Sequence, residues 1–117
     1  MTAQHIAHED PLIPMPALTL PALRQALAAV APSRLPQFFQ EMQDAFTRAG
    51  EEESVVAIRM FYRRWGVTVA IERNPALAER LHAAESALDH EDPEVRARAI
   101  REAGDIVRAA HREVAGG

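Results

Sequence analysis

Between Val55 and Ile71 the chain carries apolar residues on two opposite sides of one helix, and few folds accommodate such a segment. With residues about 100° apart on a helical wheel, Val55, Ile58, Phe61, Tyr62, Trp65 and Val69 fall on one side. Val56, Met60, Val67 and Ile71 fall on nearly the opposite side, and Arg59 and Arg63 lie between. Val67-Thr68-Val69 favours strand locally, but the helical phase runs through it unbroken. A helix apolar on two faces is either central in its domain or covers a partner with its second face.

The segments around it are punctuated as helices. Thr19 caps a first helix through about Ala31, with Pro21 in the first turn, where a missing N–H costs nothing. Its apolar stripe is Leu20, Leu23, Leu27 and Val30, and Pro32 ends it. Ser33 and Pro36 start a second helix with Leu35, Phe39, Met42 and Phe46 inward, stopped by Gly50 as a left-handed cap. Glu51, Glu52 and Glu53 then open the central helix, where negative charge suits the positive end of the helix dipole. That helix runs to about Arg73. Asn74-Pro75 and Asp92-Pro93-Glu94 are two further cap-and-proline starts. The fourth helix has Leu77, Leu81, Ala84 and Leu88 inward; the fifth, to about Val114, has Val95, Ala99, Ala103, Ile106, Val107, Ala110 and Val114.

These elements predict an all-α fold, a compact bundle of four to five helices over residues 17–115. An extended Pro-rich N-terminal arm precedes it, residues 1–16, where Pro11, Pro14 and Pro16 favour polyproline geometry. At 117 residues with 48% hydrophobic and 26% charged residues, the chain suits one globular domain. Aromatic residues make up only 5%, so aliphatic side chains must build most of the core. The expected core is Leu23, Leu27, Phe39, Met42, Phe46, Ile58, Tyr62, Trp65, Val69, Leu77, Leu81, Val107 and Ala110.

The same residues offer little for catalysis. Cysteine is absent, which removes disulfides, thiolate metal sites and thiol nucleophiles. His5, His8, His82, His90 and His111 present no pair of ligands at helical i,i+4 spacing, so no metal is expected. His90-Glu91-Asp92 reads as a turn in which Asp92 caps the next helix. Acids sit at helix starts or at ion-pair spacing, such as Glu94 to Arg98 and Glu72 to the arginines before it. No Gly-rich phosphate loop or nucleophile elbow occurs. A non-enzyme without a cofactor is the expectation. The first residues lack a basic n-region and an apolar run, and no stretch approaches a membrane span, so a cytoplasmic location is expected.

What remains points to binding. Formal charge is −4 and every basic residue is arginine. On the fifth helix Arg98, Arg101, Arg108 and Arg112 line the side away from the apolar stripe. They form either a solvated face laced with intrahelical pairs or a guanidinium stripe for an acidic partner or RNA. Residues 1–16 read either as a flexible, frayed terminus or, because Leu12, Ile13 and Met15 are apolar for a free tail, as a docking arm. Val56, Met60, Val67 and Ile71 suit a protein interface, a two-fold homodimer included. Arg59, Arg63 and Arg64 beside Trp65 add a basic cluster, although the phase of Trp65 buries its ring. A helix-turn-helix is poorly signalled, because the turns hold proline and acids and no polar recognition helix follows.

From Ala22 to Ala87 the order of features resembles a family of short helical proteins of actinobacteria, catalogued as a domain of unknown function. The residues carrying the resemblance are Leu23 to Val30, then Phe39, Glu41, Ala45 and Ala49. Arg63-Arg64-Trp65, Ala70, Asn74-Pro75, and Arg80-Leu81 with Ala84 follow in order. Family members often have aspartate where Asn74 stands, and the final arginine-striped helix lies outside the matched region. Such genes are often neighbours of small RelE-like ribonuclease toxins. The resemblance therefore implies an antitoxin-like partner that binds a small basic protein, an expectation compatible with an acidic binder.

Overall fold

The structure is a computed structural model, and it describes residues 10–116. Helix α1 spans Leu20–Val30 and a 3-10 turn follows at Pro32–Arg34. Then come α2 (Leu35–Glu52), α3 (Val56–Glu72), α4 (Pro75–Ser86) and α5 (Pro93–Gly116), with no strand among the described residues. The all-α bundle is as expected, and α3 is its hub. It packs against each of the other four helices, whereas α1 and α2 touch neither α4 nor α5.

The core accordingly forms in two clusters joined through α3. One holds Leu23, Leu27, Phe38, Phe61, Trp65 and Val69, between α1, α2 and α3. The other holds Val67, Ala70, Ile71, Leu81, Ile106 and Ala110, between α3, α4 and α5. A helix with two apolar sides is what such a bridge requires. Arg80 of α4 adds a polar tie to α5: its Nε donates to Glu102 Oε2 at 2.8 Å. That hydrogen bond and the carboxylate charge raise the guanidinium pKa further above its usual value.

Two helix starts carry the side-chain cap that the sequence signals, while Arg34 rather than Ser33 stands before α2 and makes no cap bond. Thr19 Oγ1 accepts the Ala22 N–H at 3.3 Å and Asp92 Oδ1 accepts that of Glu94 at 2.9 Å. Asn74 acts backwards instead: its Nδ2 donates to the Ala70 carbonyl, closing the end of α3 rather than opening α4.

The α2–α3 junction departs from expectation. Gly50 does not end α2, which continues through Glu52; the left-handed residue is Glu53, at φ 51° and ψ 46°. The N–H groups of Glu53 and Ser54 both donate to the Ala49 carbonyl, a closure of the Schellman type. Placing the break there lets Ser54 Oγ accept the Val56 N–H at the start of α3. Glu51 and Glu52 therefore sit at the negative end of α2, not at the positive end of α3, and Arg48 offsets Glu52 at 3.8 Å.

Core membership on α2 also differs. Phe38 is fully buried, while Phe39 and Phe46 are exposed, as is Leu88 beyond α4. Leu35 and Met42 pack on the core as expected, but Phe38 and Ala45 take the places expected of Phe39 and Phe46, so the buried ridge is turned by less than the 100° between neighbouring residues. The reason is aromatic packing: the Phe38 ring meets Phe61 at 5.2 Å and Trp65 at 5.3 Å, edge-on to the latter. Met42, Ile58, Tyr62, Leu77 and Val107 are half-buried.

The proline segment lies against the bundle. The Leu12 N–H donates to the Arg73 carbonyl at 2.8 Å, and Arg73 Nη1 donates to the Ile13 carbonyl at 3.1 Å. Ile13 packs on the first core cluster and Met15 on the second. Residues 10–16 thus strap across α3 and join the two halves. Leu18 continues the strap over Gly66, where any Cβ would lie 2.7 Å from Leu18 Cδ2.

A candidate protein-binding groove

The second apolar stripe of α3 changes character along its length. Val56 and Met60 are 54% and 65% exposed, whereas Val67 and Ile71 are 7% and 4% exposed. Helices α4 and α5 cover only the C-terminal half of α3, so the stripe begins on the surface and runs into the core. Val67 and Ile71 are therefore internal packing residues in this fold, and only Val56 and Met60 of that expected face are open to a partner.

A groove of 740 Å³ opens where the cover stops. Its floor is α3, with Ala57, Met60, Phe61, Arg64 and the edges of Val67 and Ile71. One wall is α2, with Glu41, Asp44, Ala45 and Arg48; the other is α4 and α5, with Leu81, His82, Glu85, Val107 and His111. Arg34, Arg63 and Glu72 also reach it. The floor is mostly apolar and the edges are charged, the arrangement of a surface that buries one apolar ridge and keeps a polar rim wet.

Part of the rim is already committed within the chain. Glu41 Oε1 accepts Arg64 Nε at 2.8 Å and the Trp65 indole N–H at 3.0 Å. The indole ring is in turn flanked by two guanidinium groups, Arg64 at 5.7 Å and Arg34 at 5.5 Å from its centroid. Glu72 turns to His82 across the α3–α4 corner at 3.1 Å, not to the arginines before it. Arg63 and Glu85 have no ion-pair partner among the described residues, and Asp44 takes only the Gln40 amide.

The other residues singled out in the sequence lie apart from this groove. Leu12 is exposed on the strap, while Ile13 and Met15 are half-buried against the chain's own core. Arg59 is exposed on α3. Arg98, Arg101, Arg108 and Arg112 are exposed on α5, and Arg108 pairs with Asp105 at 2.7 Å. Glu94 and Arg98 do not pair; Arg96 instead donates to the carbonyls of His90 and Glu91. His5 and His8 lie outside the described residues. Among the described residues, no three or more His, Asp or Glu side chains gather as metal ligands do, and no helix is long and apolar enough to cross a membrane.

Sequence reasoning found the floor of the groove but missed its walls. Glu41, Asp44, Ala45 and Arg48 recur at helical spacing on α2, and Val107 and His111 do so on α5. That spacing was visible, but which flank each helix turns to the open half of α3 depends on the rotation of α2 and on where α4 ends. Compared with protein families, with curated proteins and with solved structures, the chain matches none.

Proposed function

We propose that the chain is a non-catalytic protein-binding module that takes an apolar helical ridge into the groove on α3. The observation carrying this reading is the half-open stripe: Val56 and Met60 stand exposed in line with Val67 and Ile71, which are fully packed. A free domain gains nothing from two large apolar side chains beside an apolar-floored groove, while a helix laid along it would bury both. Grooves of this volume also hold small molecules. Val56, however, extends the apolar surface past the groove lining, which suits a longer, macromolecular occupant.

The antitoxin-like role implied by the family resemblance is a finer form of the same reading, with the net charge of −4 steering a basic target. The arginines of α5 support nucleic-acid binding less well, because acids at Glu94, Glu102, Asp105 and Glu113 alternate with them.

A tagged-protein capture from the native host, comparing wild type with Val56→Glu/Met60→Glu, tests the proposal. Retention by wild type of a stoichiometric protein, either another gene product or untagged copies of the chain, and its loss from the variant would support it. Capture that survives the double substitution, or of nucleic acid alone, would reject the groove as the binding site.

A further inference from the structure

Helix α3 is flanked by two half-bundles, α1 with α2 and α4 with α5, that do not touch each other. Two seams therefore run between the halves along α3. One is the groove, between α2 and the wall of α4 and α5. The other lies between α1 and α5, and the chain fills it with its own strap. Ile13 packs on the cluster holding Leu23 and Leu27 of α1, and Met15 on the cluster holding Ile106 and Val114 of α5. Leu18 crosses α3 at Gly66, beside Val114.

The filled seam and the empty one lie on opposite sides of α3. Arg64 lines the groove and Arg73 clasps the strap; at 100° per residue they point about 180° apart, and Gly66 points about 160° from Arg64. Packed halves that meet only on a shared helix shift by sliding over it, so closing one seam widens the other. The wedge in the filled seam is lightly fastened. Its hydrogen bonds to the helices, among the described residues, are the Leu12 N–H to the Arg73 carbonyl and Arg73 Nη1 to the Ile13 carbonyl. Arg73 Nε is buried there with no hydrogen-bond partner among the described residues, a cost that release of the strap into water would recover.

We infer that the strap is a regulatory wedge for the groove. Seated, it holds α1 away from α5 and keeps α2 close to α4. Released, it lets the halves settle together on its own side of α3 and opens the groove on the other. An occupant that favours the wide groove therefore favours release of the strap, and capture of the strap favours the occupant by the same factor. This consequence for binding rests on the reading of the groove as a docking surface; the motion does not.

Distance measurement across the groove tests the wedge in the full chain. Cysteine is absent, so Asp44→Cys/Glu85→Cys puts one spin label on each wall, at carboxylates that form no ion pair among the described residues. Adding Arg73→Ala, or separately Ile13→Ser/Met15→Ser, should lengthen the distance between labels by about 2 Å in pulsed electron paramagnetic resonance. Circular dichroism checks that the helices persist, and hydrogen exchange at the Leu12 amide checks that the strap has left. A distance that stays the same or shortens when Leu12 exchanges freely overturns the inference, as does a strap that leaves in neither folded variant. An unchanged distance with groove-dependent capture of a protein would remove the wedge and keep the proposed function. A lengthened distance with no capture would keep the wedge and remove the docking role.

Discussion

The indole N–H of Trp65 donates to Glu41 Oε1 at 3.0 Å, joining the hub helix α3 to α2 at a fully buried aromatic of the core. The same oxygen receives Arg64, so one carboxylate orients a buried ring and a surface guanidinium together. Glu41→Leu fills similar space but orphans the indole donor, which costs about 2 kcal/mol. Glu41→Gln keeps an acceptor and should lose less. Urea unfolding followed by the fluorescence of the single tryptophan reads both, and equal losses in the two variants would refute the role of the hydrogen bond.

Phe38 and Phe39 are adjacent in sequence and opposite in consequence. Phe38 is fully buried against Phe61 and Trp65, while Phe39 is 39% exposed. Phe38→Ala should cost about 4 kcal/mol through lost burial and the cavity left behind, and Phe39→Ala less than about 1.5 kcal/mol. Thermal unfolding of the pair ranks them directly. The reverse ranking would mean that α2 is rotated by one residue.

Arg73 is the clasp of the N-terminal strap. Its carbonyl accepts from Leu12, its Nη1 donates to the Ile13 carbonyl, and its Nη2 pairs with Glu113 of α5. Arg73→Ala should release the strap and cost about 2 kcal/mol. Arg73→Lys keeps the charge but loses the fork that reaches two partners. Hydrogen exchange at the Leu12 amide reports the release. Unchanged protection there in Arg73→Ala would show that apolar packing of Ile13 and Met15 alone holds the strap.

Glu53 occupies a left-handed conformation at φ 51°, which costs a residue with a Cβ about 1–2 kcal/mol. It also places a carboxylate near the negative end of α2, a further small cost. Against this, glycine loses more chain entropy on folding, about 0.5–1 kcal/mol. Glu53→Gly should therefore stabilise the protein by about 1 kcal/mol, a rise in the urea midpoint without a change in slope. A fall in the midpoint would show that Glu53 makes compensating contacts at the turn.

The hub position of α3 was legible because periodicity alone shows two apolar sides, and the five helices were legible because proline and cap residues mark their starts. Three features were not. Gly50 looked like the end of α2, but a Schellman closure at Glu53 followed by the Ser54 cap satisfies more backbone groups than a stop at the glycine would. Phe39 looked like core, but the choice between two adjacent phenylalanines is made by the Trp65 and Phe61 rings, which come from another helix. The open half of α3 was invisible for a related reason. Val56 and Val67 share a helical face, and only the placement of α4 and α5 decides which of them is covered.

That shared face gives the most direct test of the fold as a platform for binding. Met60 and Val67 belong to one apolar stripe, yet one is 65% exposed and the other 7%. A carboxylate at position 67 would have to desolvate in the cluster of Ala70, Ile106 and Ala110 or leave it for the groove edge, so Val67→Glu should destabilise the domain by more than about 2 kcal/mol. Met60→Glu places the same charge in solvent on a helix that tolerates glutamate, so it should change stability by less than about 0.5 kcal/mol. The comparison belongs at high dilution, where any self-association through Met60 contributes nothing to the folded state. Equal destabilisation by the two substitutions would mean that α4 and α5 cover the whole of α3, and no groove would then exist to be occupied. An undiminished Met60→Glu protein beside a destabilised Val67→Glu one would separate the packing half of the stripe from the half free to bind.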